Sequence, residues 1–203
     1  EHFLLDKRIG QLATGAQAWL KNEVSGRIHG TCNTNSTVTA RASHTNPNLG
    51  QVPSVTVPYG KECRSLFTVP KGKKLVGIDI SGLEVRLLAH FMSKFDEGEY
   101  SKVVLNGDIH TETKELAGLD SRDLAKRFYY CFLYGGGVKK IALVTGKSTK
   151  EAKKIRERFL NNLPALSKLL KQVQQAAERG YLVGLDKRQI KIRSVHAALN
   201  SLL

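Results

Sequence analysis

Nowhere in these 203 residues does an apolar run approach the roughly 20 residues of a membrane-spanning helix, and no secretory h-region is visible. That pattern argues against a membrane-spanning helix within these residues, and a soluble cytoplasmic protein is expected. Cysteine is scarce: Cys32, Cys63 and Cys131 are odd in number, widely separated and without paired metal-ligand spacing. That pattern argues against a disulfide framework or a zinc module and fits reduced thiols in a reducing compartment. Acidic residues are the third deficit, 18 Asp plus Glu against 32 Lys plus Arg, for a net charge of +14. Solvation needs no such one-sidedness, so an acidic partner is implied, either nucleic acid or an anionic membrane surface. Internal repeats and low-complexity tracts are lacking too. Gly146-Lys147-Ser148 resembles the tail of a phosphate-binding P-loop, but Ile141 stands where that motif needs Gly, which excludes it.

What is present is a row of side chains. Residues 121–137 read as a helix closed by Gly135, Gly136 and Gly137, and they place Arg122, Lys126, Tyr130 and Tyr134 four apart. Four residues turn through about 400°, so the row drifts only about 40° per step and stays on one face. Two cations followed by two aromatic rings suit a nucleoside triphosphate. Arg offers a planar fork and Lys a point charge to phosphate oxygens, and the rings a surface for a sugar or base. The same spacing also describes an ordinary amphipathic helix whose Tyr, Phe and Leu residues face a core while Arg and Lys are solvated.

Elsewhere the pattern is mostly helical. Residues 1–22 fit a helix packed on one side, Gly26 to Ala40 a β-hairpin or short strands, and residues 41–59 an ordered loop. Leu75-Val76-Gly77-Ile78-Asp79-Ile80 suits a buried strand that delivers the Asp79 carboxylate near its end, ahead of a helix from Leu83. From about residue 97 to 180 the pattern is helical, with breaks at Asn106-Gly107, Gly118, Gly135 to Gly137 and Gly146. Ser148 to Glu151 matches a capping box, and Pro164 restarts a helix. Arg188 to Arg193 alternates like an amphipathic strand, and His196 opens a last helix.

Asp79-Ile80-Ser81-Gly82-Leu83-Glu84-Val85-Arg86 and the stretch from Arg122 through Gly135 resemble palm motif A and the fingers helix, motif B, of the family A, DNA polymerase I-like, DNA polymerases. The podovirus-type phage replicases are the nearest in pattern. Thr39-Ala40-Arg41-Ala42-Ser43 through Pro47-Asn48-Leu49-Gly50-Gln51-Val52-Pro53 is similar to the family segment that touches primer-template. Asn106 to Thr111 and Arg193 to Asn200 also look like phage-replicase segments, so the matches run in the expected order along nearly the whole chain. The resemblance implies an α+β, mainly helical fragment of a right-hand polymerase, a partial palm sheet plus helical fingers. Residues 1–25 would end a thumb helix, 26–93 would be palm, 94–185 fingers and 186–203 a return to the palm.

It also implies roles. Asp79 would be one of two carboxylates holding two Mg²⁺ ions, with the Ile80 carbonyl as a further ligand; capping of the next helix is the plainer role for Asp79. Arg122, Lys126 and His110 would meet the triphosphate of an incoming deoxynucleotide, Lys126 as a catalytic residue, while Tyr130 packs on its sugar or base. Glu84 would exclude the ribose 2′-hydroxyl, or simply favour the dipole of its helix. His110 after Asp108 reads equally as a helix start. Arg41, Gln51, Tyr134, His196 and Asn200 would contact DNA, and for Arg41, Gln51, His196 and Asn200 a plain surface role stays open.

The partners implied are primer-template DNA and deoxynucleoside triphosphates, with no membrane, in the cytoplasm of a phage-infected bacterial host. The thumb region preceding residue 1 would be the place for a processivity factor. No His-Asp-Glu occurs in the chain, so the family's second metal-binding carboxylate would lie beyond it. Both ends read as cut, and the isolated chain is expected not to polymerise. A single-subunit RNA polymerase and a non-catalytic DNA-binding module are the competing readings; Glu84 argues for deoxynucleotides against the first.

Overall fold

From Leu83 onward the chain forms the helices its periodicity predicts, broken where its glycines stand. The computed structural model describes residues 2–203; Glu1, the first residue of the expected N-terminal helix, lies outside them. The described residues divide into two compact units, 2–79 and 80–203.

The second unit contains α3 (Leu83–Asp96), α4 (Glu99–Asn106), α5 (Ile109–Ala117), α6 (Arg122–Leu133), α7 (Val138–Thr145), α8 (Thr149–Asn162) and α9 (Pro164–Ala177). Two short strands, β5 (Tyr181–Val183) and β6 (Gln189–Lys191), and α10 (Ala198–Leu202) complete it. Side chains close the starts of α5, α6 and α8. Asp108 accepts from the His110 N–H at α5, and Ser121 from the Leu124 N–H at α6. Ser148 and Glu151 form the expected reciprocal capping box at α8, and Pro164 occupies the first turn of α9. The core gathers around Phe159, whose ring meets Phe128 at 5.3 Å and Phe132 at 5.4 Å, both edge to face. Leu88, Met92, Tyr129, Leu133, Ile141, Leu166 and Leu169 are fully buried in the same cluster. Strand β6 realises the alternating Arg188–Arg193 segment and pairs antiparallel with β5, Leu182 opposite Ile190.

The first unit holds α1 (His2–Ile9), a π-helical turn Gly10–Thr14, β1 (Glu23–Val24), β2 (Arg27–Ile28), β3 (Thr31–Asn33), β4 (Ser43–Thr45) and α2 (Gly60–Ser65). Strand β1 pairs with β2 and β3 with β4, each antiparallel; β2 and β3 lie within the Gly26–Ala40 segment expected to hold short strands, and their partners lie on either side of it. Its small core rests on Ala18, Trp19, Pro47 and Cys63, with Trp19 edge-on to Phe67 at 5.2 Å.

Three expectations fail in this unit. The predicted buried strand Leu75–Ile80 forms no ladder: Val76 is 76% exposed and Ile78 90%. A strand needs a neighbour for its backbone groups, and none of the described residues supplies one. The N-terminal segment is helical only to Ile9 before its π turn, and its apolar side is open, with Phe3 78% exposed. Among the described residues of this segment only Ala18 and Trp19, beyond the helix, are buried. Finally, β4 and a 3-10 turn, Leu49–Gln51, interrupt the segment 41–59 expected to be loop. The β4 pairing joins polar residues, His44 opposite Cys32, so no hydrophobic alternation announces it.

Candidate active site

Helix α6 realises both readings of its sequence at once. Leu124, Phe128 and Phe132 form one buried row, and Ala125, Tyr129 and Leu133 the next. That leaves Arg122, Lys126, Tyr130 and Tyr134 as the open face, with Tyr130 half-buried and the other three exposed. The helix ends at Leu133, yet the Tyr134 N–H still donates to the Tyr130 carbonyl at 3.0 Å, so the row keeps its spacing. The Tyr130 and Tyr134 rings stack, 6.2 Å apart and 21° from parallel. The result is a cationic first turn followed by an aromatic surface.

Helix α5 packs alongside and brings His110 to this face. The His110 ring lies 5.8 Å from that of Tyr130 and 6.1 Å from that of Tyr129. His110 is 8% exposed, and its buried Nδ1 makes no hydrogen bond among the described residues. Burial, and then the Arg122 charge, hold its pKa below the ordinary 6.5, so the imidazole is neutral at pH 7. His110 does stand at a helix start, as the second residue of α5, where its N–H donates to the Asp108 carboxylate that caps the helix.

Asp108 also reaches α6. Its carboxylate accepts from Arg122 Nε at 2.5 Å and Nη2 at 3.2 Å. That contact was not anticipated from sequence; the only signal for it is an Asp two residues before a His on one helix and an Arg at the start of the next. Beneath the open face Tyr129 and Tyr100 share a buried hydroxyl–hydroxyl hydrogen bond of 3.0 Å, also unforeseen. Burial pushes the Tyr129 hydroxyl far above its ordinary range, so both rings stay neutral.

The C-terminal end of α6 meets the His196 segment. Gly135 has φ of +73°, and a Cβ there would lie 3.0 Å from the His196 carbonyl, so only glycine suits both the turn and the approach. His196 itself is exposed on a 3-10 turn, and Asn200 is half-buried on α10. Glu84 stands in the first turn of α3, also half-buried. The N-cap of α3 is Gly82 without a side-chain cap, so the capping role considered for Asp79 is not taken up. In the first unit Asp79 and Arg41 are exposed. Gln51 lines a cavity of about 500 Å³ together with Lys7, Arg8, Gln11, Gln17 and Asn48.

The sequence profile of DNA polymerase family A matches residues 1–201. The chain belongs to this family. This family A chain is 44% identical over its whole length to the DNA-directed DNA polymerase of Escherichia phage T7, and equally to that of Enterobacteria phage T3. It spans 32% of the length of each. Its fold superposes on the POL domain of Pol1 from M. smegmatis, solved in complex with DNA primer-template and dNTP, with a TM-score of 0.78 and 27% identity. That match covers 99% of this chain and 39% of the other.

Asp79 and the Ile80 carbonyl offer oxygen donors of the hard type that magnesium takes. No group of three or more His, Cys, Asp or Glu side chains placed to hold a metal occurs among the described residues. No helix among the described residues is long and apolar enough to cross a membrane.

Proposed function

We propose that this chain carries the nucleotide-binding helix and one metal-binding carboxylate of a DNA-templated DNA polymerase. The observation that carries the reading is the face of α6, Arg122, Lys126, Tyr130 and Tyr134 in one row with His110 beside it. In nucleotidyl transfer the primer 3′-oxygen bonds to the α-phosphorus while the bond to the bridging oxygen breaks, and negative charge grows on the departing pyrophosphate. Arg122 and Lys126 meet that charge from a fixed helix, and such stabilisation is the main contribution a protein makes to this class of transfer. His110, neutral at pH 7, contacts the same triphosphate without adding charge. Tyr130 packs on the sugar or base, and Glu84 closes the space a 2′-hydroxyl would need.

Asp79, with the Ile80 carbonyl, contributes oxygen ligands to magnesium, whose remaining ligands the described residues do not assemble. Arg41, Gln51, Tyr134, His196 and Asn200 touch the primer-template, where the minor groove presents acceptors common to all correct pairs. The segments 94–185 and 26–93 act as fingers and palm, 1–25 and 186–203 as their thumb and palm continuations. The net charge of +14 favours DNA through counterion release. The phage relatives named as DNA-directed DNA polymerases, and the neighbour solved with primer-template and dNTP, support the reading.

The test is nucleotide binding by this chain, read from the fluorescence of a labelled dNTP, beside its affinity for a primer-template duplex. Lys126→Ala should weaken dNTP binding roughly tenfold to a hundredfold, the loss expected for a charged hydrogen bond worth about 1.5–3 kcal/mol. Duplex affinity should barely change. Equal losses on both ligands, or no dNTP binding by the unmodified chain, would defeat the reading.

A further inference from the structure

We propose that Asp108 is a positioning residue for the triphosphate site, holding Arg122 by one edge of its guanidinium so that the other edge faces the phosphates. The inference rests on the reading of Arg122 as a phosphate ligand. Arg122 opens α6, where a cation meets the positive end of the helix dipole. A residue that breaks a local rule this way needs a compensating partner, and Asp108 is that partner.

The geometry is bidentate. Oδ2 takes the Nε proton at 2.5 Å and Oδ1 takes one Nη2 proton at 3.2 Å, along the side edge of the planar fork. The Nη1 protons and the outer Nη2 proton stay available, and the arginine side chain is 53% exposed. The carboxylate is itself fixed. Oδ1 accepts from the His110 N–H at 3.0 Å and Oδ2 from the Thr111 hydroxyl at 3.0 Å. One side chain thus ties the start of α5, which carries His110, to the start of α6, which carries Arg122. An arginine already held in one rotamer loses less freedom on gripping a phosphate. The Arg122 hydrogen bond holds the Asp108 carboxyl well below the usual carboxylate range, so it is ionised throughout the neutral region.

The opposite reading is that Asp108 is a competitor, a negative charge that a triphosphate must displace or endure. The two differ in sign. Asp108→Asn keeps an oxygen to cap α5 but puts an amide where Arg122 needs an acceptor. Positioning predicts that Asp108→Asn raises the dNTP dissociation constant on the order of tenfold. In an Arg122→Ala background the same change should produce no weakening, which a merely structural role would not achieve. Asp108→Ser, which also caps α5, should match the Asn variant and serves if that variant folds poorly. Unchanged or tighter dNTP binding by either folded variant overturns the proposal, as does equal weakening in the Arg122→Ala background. If the unmodified chain binds dNTP and Arg122→Ala weakens that binding, such results sink the positioning role alone; failure of the unmodified chain to bind sinks the underlying reading.

Discussion

Residues 80–203 bury Phe128, Tyr129 and Phe159 against each other, whereas residues 2–79 leave Leu75, Val76 and Ile78 open to solvent. Both segments hold enough apolar residues for a core, so composition does not separate them. Range of contact does. Helices satisfy their backbone within themselves, and their apolar stripes find one another across short connections. The first unit depends on strands, and a strand is only as good as its neighbour. The helical unit therefore completes itself, while the apolar run of the first unit has no ladder partner among the described residues.

The largest test of that contrast strikes the centre of the helical unit. Phe159 is fully buried among Phe128, Phe132 and Tyr129. Phe159→Ala removes that ring and leaves a cavity, at an expected cost of about 3–5 kcal/mol. Urea unfolding followed by helical circular dichroism should show the loss as a lower midpoint with an unchanged slope. A cost under about 1 kcal/mol would mean that the unit holds together by something other than this cluster.

A smaller effect comes from pH, because this unit also buries an ionisable ring. His110 has its pKa lowered below the ordinary 6.5, first by burial, then by Arg122 and Lys126, with Asp108 opposing. The folded state therefore binds fewer protons than the unfolded state between the lowered value and 6.5. Stability is complete above about pH 6.5 and declines as pH falls from there toward the lowered value. The Asp108 contribution is lost only in a separate, more acid window below the ordinary 3.8. Urea midpoints at pH 8 and pH 5.5 should differ for the unmodified chain and converge in His110→Gln. A midpoint that rises on acidification would reverse the assignment.

Much of the helical unit is legible in the sequence because its signals are local. The capping box at Ser148, Pro164 at a helix start, the glycine breaks and the four-residue row on α6 all act within a turn or two. Motif spacing also placed Arg122, Lys126 and Tyr130 on one open face. What escaped was longer in range. The Asp108–Arg122 pair joins residues 14 apart on different helices, and the Tyr100–Tyr129 hydroxyl pair joins residues 29 apart. Neither has a periodicity to betray it. The failed strand at Leu75–Ile80 shows the reverse problem: its pattern is locally correct, and only a pairing partner decides whether the pattern becomes structure.

The smallest expected effect tests that last point. Ile78 is 90% exposed, so in this chain its side chain buries almost nothing. Ile78→Ser should change unfolding stability by no more than about 0.5 kcal/mol, the range of surface substitutions. The same change in a buried central strand would remove apolar burial and strand an unpaired hydroxyl, costing about 2–5 kcal/mol. Urea midpoints of the two chains decide between these values. A shift in the larger range would show that residues 75–80 pair in solution, and the contrast between a self-completing helical unit and an unpartnered strand would fall.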